Sequence, residues 1–226
     1  MRVHVVFAHP SHDSFTGSLL RAFLDGLDEA GHTHTLSDLY AKHFNPVLDA
    51  VQYEREAGCH ADEPVPPDVS AEQHLLDAAG AWVFCYPVWW TDCPAILKGW
   101  FDRVWSVGYA YEPGYVRKNL EGSLHSQTTQ PVAELALILC AAGHTEDELR
   151  RTGCYQAMET TMLVDRIATR AQHKRFVVLG GSADLGADAW TKLKVDQLAA
   201  ASWLGRNLDS LVTPASHGPI STQRTG

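Results

Sequence analysis

The 226-residue sequence is short of positive charge: 18 Lys and Arg stand against 27 Asp and Glu, a formal net charge of -9. Nucleic-acid surfaces rely on Lys and Arg to neutralise phosphates, so that class of partner is excluded. Cysteine is scarce and unpatterned. Cys59, Cys85, Cys93, Cys140 and Cys154 form no C-x-x-C pair and leave an odd thiol, which fits a reducing compartment and not a disulfide scaffold. No apolar run approaches the roughly 20 residues of a membrane helix, and no A-x-A cleavage site follows the opening residues, so a cytoplasmic protein without membrane insertion is expected. The dinucleotide fingerprint G-x-G-x-x-G is missing after the first strand, as is the phosphate loop G-x-x-x-x-G-K-S/T. Without G-x-S-x-G there is no nucleophile elbow. Cys59-His60, near Asp62 and Glu63, fits no standard zinc spacing, so no metal is expected.

What remains is an ordinary globular composition, 45% hydrophobic and 20% charged, long enough for one α/β domain with insertions. Residues 3–8 form a first strand suited to burial on both faces. A polar loop leads into a helix with Phe15, Leu19, Phe23 and Leu27 at four-residue spacing, stopped by Gly31. Further strands are expected over 33–39, 81–85, 135–140 and 175–179. Helices are expected within 48–58, from Ser70 (as N-cap, with Gln73 three residues on), from about 95, over 156–170 and over 188–208. The prolines within 63–68 read as an extended connector. Residues 45–70 and 108–131 lack periodicity, and beyond Val212 the composition turns to Ser, Thr, Pro and Gly. The expected organisation is one domain over 1–212 and a flexible tail over 213–226.

Strands alternating with helices imply a doubly wound, five-stranded parallel sheet with helices on both faces. Such sheets bind ligands beyond the carboxyl ends of their strands. After the first strand, Ser14, Thr16 and Ser18 offer hydroxyls, and the backbone of Phe15 to Ser18 offers N–H groups at a helix N-terminus, where an anion is favoured. Any single hydroxyl there also serves as an ordinary cap. After the third strand, Trp89 and Trp90 lie between Pro87 and Pro94 in a stiff apolar loop. That loop suits a flat aromatic ligand, or else caps the core. Together the two loops suggest a phosphate at one and its attached ring at the other.

The segments Ala8-His9-Pro10, Ser14-Phe15-Thr16-Gly17-Ser18-Leu19, Ser37-Asp38-Leu39-Tyr40-Ala41, Phe44-Asn45-Pro46, Pro87-Val88-Trp89-Trp90 and the run from Pro94 to Val104 stand in order along the first half of the chain. They resemble the NAD(P)H:quinone oxidoreductase family, whose fold is flavodoxin-like. The resemblance covers roughly residues 1–112 and weakens beyond. It implies a homodimeric flavin enzyme passing hydride from NAD(P)H to a quinone-like acceptor by a ping-pong route. The flavin would be FAD, with FMN as the alternative. His9, Ser14, Phe15, Thr16 and Ser18 would meet its phosphate, and Pro87, Val88, Trp89 and Trp90 would line its ring. Ala141, Ala142 and Gly143 would donate to the ring's pyrimidine end, where reduction adds negative charge. Trp90, Tyr111 and Tyr115 would face the substrate, the tyrosines across a subunit boundary.

Two departures from the family pattern stand out. Its Thr-Thr-Gly-Gly is here Ala141-Ala142-Gly143-His144, and its Tyr and His beyond that turn are absent, with Leu149 and Tyr155 nearby instead. Tyr155 and His144 are the catalytic candidates, each with a structural alternative. The two insertions leave open a regulatory subunit of a membrane transporter, of the potassium-efflux type. The altered turn leaves open a dedicated reductase of one biosynthetic intermediate.

Overall fold

Along the first strand Val3, Val5 and Phe7 alternate with His4, Val6 and Ala8, and all six are buried. A strand covered on both faces belongs inside a parallel sheet. The structure, a computed structural model, describes residues 1–111, 133–183 and 185–212. In it β1 (Arg2–Phe7) lies between β2 (Thr33–Asp38) and β3 (Ala81–Pro87), with β4 (Ala133–Ala142) and β5 (Ala171–Gly180) beyond β3. The order is β2-β1-β3-β4-β5 and every neighbouring pair is parallel. The chain winds outward from β1 in both directions, so the crevice that such sheets use for ligands opens between the carboxyl ends of β1 and β3.

Helices cover both faces, as the alternation predicts. Val3, Val5, Phe7 and Val83 pack on Leu19, Phe23 and Leu27 of α1 (Phe15–Glu29), joined by Ala201 and Leu204 from a long helix near the end of the described chain. On the other face, Val6, Phe84 and Ile138 meet two more helices. After α2 (Ala50–Ala57), these are α3 (Pro67–Asp77) and α4 (Ala95–Val104), which supply Leu76, Leu97 and Trp100. α5 (Glu146–Arg151) and α6 (Cys154–Glu159) follow β4, and α6 runs directly into a π-helical stretch, Thr160–Arg166. The long helix on the α1 side is α7 (Ala187–Arg206), followed by a 3-10 turn, Leu208–Val212. Among the described residues no helix is long and apolar enough to cross a membrane. The tail over 213–226 lies outside the described residues.

Two local expectations are corrected. α3 starts at Pro67 with Pro66 as its cap, and Ser70 already donates its N–H to Pro66 O at 2.9 Å inside the helix. Proline in the first turn lacks only an N–H that would have no helical partner, so consecutive prolines open this helix. α5 was not expected, because its six residues hold only Leu149 as an apolar anchor. Its signal is the capping box, in which Thr145 Oγ1 accepts from Glu148 N while the Glu148 carboxylate accepts from Thr145 N.

The stretch over 45–70 lacks periodicity because buried arginines hold it in place of an apolar face. Arg103, 4% exposed, donates to Asn45 O at 2.7 Å, to Gln52 Oε1 at 3.0 Å and to both Asp68 oxygens. Arg55 reaches across to Val107 O at 3.2 Å. Close approach completes the joint: a Cβ at Gly99 would sit 2.1 Å from Pro46 O, so only glycine lets α4 lie against this segment.

One buried group makes the fold sensitive to acid. The His4 ring is fully buried; its Nδ1 lies 2.8 Å from Thr35 Oγ1, and Nε2 has no partner among the described residues. Burial pushes its pKa from 6.5 down to about 4. Between those values the unfolded chain binds the extra proton, so stability is complete above about pH 6.5 and falls as pH is lowered toward 4. The expected loss from this group is on the order of 3 kcal/mol at most. Urea denaturation at stepped pH should show the decline in the wild type and a flatter profile in His4→Gln; equal slopes would refute the assignment.

Candidate active site

The β1–α1 turn is built from short polar contacts. Ser14 caps α1: its Oγ accepts from Gly17 N at 3.0 Å and donates to Ser11 O at 2.7 Å. Ser18 Oγ donates to Ser14 O at 3.1 Å, and Thr16 is buried. A Cβ at Gly17 would lie 2.3 Å from His12 O, so the loop can close this tightly only on glycine. The amides of Phe15 and Thr16 donate to no group among the described residues. They stand at the positive end of the helix dipole, a ready anion site. The Phe15 ring packs edge-on against Trp190 of α7 at 4.9 Å.

Beyond β3, Val88 N donates to Ala141 O at 2.7 Å, tying this loop to the end of β4. Trp89 and Asp92 exchange backbone hydrogen bonds at 2.9 and 3.1 Å around a two-residue tip, Trp90-Thr91. Both tip residues are left-handed, with φ 53° and 60°. Neither is glycine, and for a β-branched threonine the conformation is unfavourable by about 1–3 kcal/mol. Trp90 is 97% exposed at this tip. The Trp89 ring tilts over His9 at 6.1 Å, joining the loops after β1 and β3.

A buried arginine over-determines the hairpin. Arg166, the last residue of the π-helical stretch, donates to both Asp92 oxygens at 2.8 and 3.0 Å. The same guanidinium lies 3.2 Å from Cys93 Sγ and 5.4 Å from the Phe101 ring centroid. Burial pushes the Asp92 carboxyl up, but Arg166 and the Cys93 N–H outweigh it and hold the group below the usual carboxylate range. No spacing in the sequence links positions 92 and 166, so sequence reasoning missed this clamp.

At the end of β4 the carbonyls turn inward. Ala142 O accepts from Gly181 N at 3.3 Å and Gly143 O from Ala183 N at 2.7 Å. The amides of Gly143 and His144 donate to no group among the described residues. Between this turn and the tryptophan hairpin lies a cleft of about 540 Å³. Val88, Trp90, Thr91, Ala142, Gly143 and His144 line it, and Glu148, Leu149, Arg151, Thr152 and Cys154 close the far side.

The structure thus brings together Val88, Trp90, Ala142, Gly143 and His144. Pro87 and Ala141 lie in the strand ends just behind, and Trp89 links them to His9. Ser14, Phe15, Thr16 and Ser18 sit at the neighbouring strand end, outside this cleft. Tyr155, the other catalytic candidate, packs into the core. It is buried, its hydroxyl donates to Phe176 O at 3.3 Å, and its ring lies 3.5 Å beneath the Arg150 guanidinium. Tyr111 donates its hydroxyl to Glu56 Oε2 at 2.8 Å on the α2 side of the chain, while Tyr115 lies outside the described residues. His144 is exposed, with Nδ1 3.8 Å from Glu148 Oε2. Among the described residues no group of His, Cys, Asp and Glu is arranged for a metal, Cys59-His60 included.

A family described as having a flavodoxin-like fold matches residues 1–162. Two curated relatives are NAD(P)H dehydrogenase (quinone) 1 of Rattus norvegicus and ribosyldihydronicotinamide dehydrogenase (quinone) of Pongo abelii. The first is 36% identical over 49% of this chain, the second 31% identical over 67%. The chain spans 45% and 68% of their respective lengths. Among solved structures, NAD(P)H:quinone oxidoreductase from Methanothermobacter marburgensis is similar with a TM-score of 0.79 and 40% identity. The match covers 92% of this chain and 97% of that one.

Two measurements check the site geometry. Arg166→Met leaves Asp92 without its partner and is expected to lower the unfolding free energy by about 1–3 kcal/mol, less than for a fully buried pair because Asp92 is partly exposed. A urea midpoint that falls at constant slope would show it; an unmoved midpoint would refute the clamp. Cys85 and Cys93 are buried, which pushes both thiols up to about 12, and Cys140 is raised as well. Cys154 is lowered by hydrogen bonds from Thr152 and Thr91. Iodoacetamide at pH 8 should therefore label Cys154 and the exposed Cys59 in the native protein and leave the other three intact. Peptide mass mapping reads the result.

Proposed function

The chain belongs to the NAD(P)H:quinone oxidoreductase family, on a flavodoxin-like fold, and we propose that it is a flavin-dependent enzyme carrying hydride from NAD(P)H to a quinone or a related conjugated acceptor. The observation that carries this reading is the convergence of three backbone cradles at the carboxyl ends of the adjacent strands β1, β3 and β4.

The residues present fit a flavin. Its phosphate is anionic, and the free amides of Phe15 and Thr16 with the Ser14 and Ser18 hydroxyls around them suit one without a lysine. Its ring is flat and apolar with one polar edge. Val88 and Trp90 offer apolar surface, and the Gly143 and His144 amides point where that edge would lie. When bound, flavin supplies the two-electron hydride chemistry. The chain supplies orientation and preorganised donors, fixed because their carbonyls are tied to Gly181 and Ala183. Losing the family's two hydroxyls at Ala141 and Ala142 leaves this backbone donation intact.

On this reading His144, on the cleft wall, would hand a proton to the reduced acceptor, while the Tyr155 hydroxyl is engaged by Phe176 O. FAD is the favoured flavin, with FMN the alternative. The assembly proposed is a homodimer, in which a second copy would cover exposed apolar side chains such as Val51, Tyr53 and Trp90.

The test is an anaerobic absorbance titration of the purified protein with NADPH and then a simple quinone. The flavin band should bleach with the first and return with the second. A protein that takes up neither FAD nor FMN, or whose flavin neither NADH nor NADPH reduces, would sink the proposal.

A further inference from the structure

We propose that the cleft contains an anion subsite at Arg151, so that the ring compound bound there carries a carboxylate, sulfonate or phosphate. The inference rests on the proposed reading of the cleft as the place where the flavin ring lies and donor and acceptor meet it in turn.

α5 ends in two arginines with different surroundings. Arg150 donates to Glu146 Oε1 at 2.7 and 2.8 Å and stacks on the Tyr155 ring, so its charge is paired. Arg151 lines the cleft and makes no hydrogen bond or ion pair among the described residues. The one acid in the lining, Glu148, is turned to its own helix cap, accepting from Thr145 N at 2.8 Å and Thr145 Oγ1 at 2.9 Å. Its remaining charged neighbours are His144 and, at longer range, Arg151 itself. The lining hydroxyls are already engaged: Thr152 Oγ1 donates to Glu148 O and Leu149 O, and Thr91 Oγ1 to Cys154 Sγ.

With the Gly143 and His144 amides taken by the polar edge of the flavin, the donor left facing a second ligand is the Arg151 guanidinium. In a chain of net charge -9 it sets one cation on the cleft wall, beside a Glu148 carboxylate already engaged by its helix cap. A neutral quinone would use the apolar surface of Val88 and Trp90 and leave Arg151 to water. An anionic substituent would meet a planar fork whose geometry matches carboxylate and related oxyanions.

The anion can sit on the acceptor or on the nicotinamide nucleotide, and the ping-pong scheme lets each half-reaction be read alone. For the acceptor, kcat/KM for naphthoquinone sulfonate is compared with that for naphthoquinone. For the donor, NADPH is compared with N-benzyl dihydronicotinamide, which has no phosphate. Arg151→Ala is expected to lower one of these ratios by about three- to tenfold, the range for a partly exposed charge pair, with Arg151→Lys between. Added salt should shrink the effect. A change in the acceptor ratio assigns the anion to the acceptor, and a change in the donor ratio assigns it to the nucleotide phosphates.

A binding arm independent of turnover uses naphthalene sulfonate and naphthol, followed by tryptophan fluorescence on the protein as purified. The sulfonate should bind more tightly in the wild type and lose that advantage in Arg151→Ala. Unchanged ratios together with equal binding of the two dyes would overturn the subsite. Failure of the flavin reading would show separately, as absent flavin reduction with the dye preference intact.

Discussion

The parallel pairing of β1 with β3 is the constraint from which the rest follows. Val3 to Phe7 lie against Ala81 to Cys85 in register, and Ala8 N extends the ladder to Cys85 O at 3.0 Å. Because both strands are covered on both faces, no polar loop can cross the sheet, and every connection must leave from an end. The carboxyl ends of β1, β3 and β4 therefore gather the α1 cap, the tryptophan hairpin and the Gly143 turn within one crevice. The candidate site sits where the sheet topology leaves backbone donors without partners among the described residues.

Arginine is the second organising device. Arg55, Arg103, Arg166 and Arg170 are each no more than 8% exposed, and each fastens an irregular segment instead of a regular one. Arg170, for example, donates to Ala110 O at 2.8 and 3.1 Å. Loops carry carbonyls that no helix or sheet satisfies, and one guanidinium can serve several of them at once. This arrangement makes loop geometry definite without lengthening the hydrophobic core. It also concentrates risk, because removing one arginine strands several acceptors together.

Where apolar periodicity exists, the sequence was readable. The five strands and the helices after β1 and β3 follow from patterns such as Phe15-Leu19-Phe23-Leu27 and Ile96-Trp100-Val104. The specificity of the Pro94–Val104 run also has a physical account: Gly99 and Arg103 dock the 45–70 segment, and Trp100 Nε1 donates to the buried Glu72 at 2.9 Å. Less was legible where polar contacts decide. α3 was misplaced because its prolines were read as breakers, and α5 was missed because a capping box, not periodicity, defines it. In the site, the loops could be found from local composition. The Asp92–Arg166 clamp joins positions 74 apart in sequence, and the inward turn of Tyr155 depends on Phe176 and Arg150. Such pairings belong to the folded arrangement and leave no mark on spacing.

The π-helical stretch has a consequence for how this chain tolerates insertion and deletion. Its ring closes over five residues, seen where Ile167 N donates to Met162 O at 2.9 Å, so it holds one residue more per turn than the helix it continues. Deleting one residue within that ring would let the same N–H and carbonyl close over four residues, the ordinary α geometry, with the partners and the residues beyond keeping their places. A residue added before Arg166 would have no second wide ring to occupy. It would turn Arg166 by about 100° about the axis, away from Asp92, although neither residue had been changed. The hairpin that presents Trp90 thus tolerates shortening of this stretch better than lengthening.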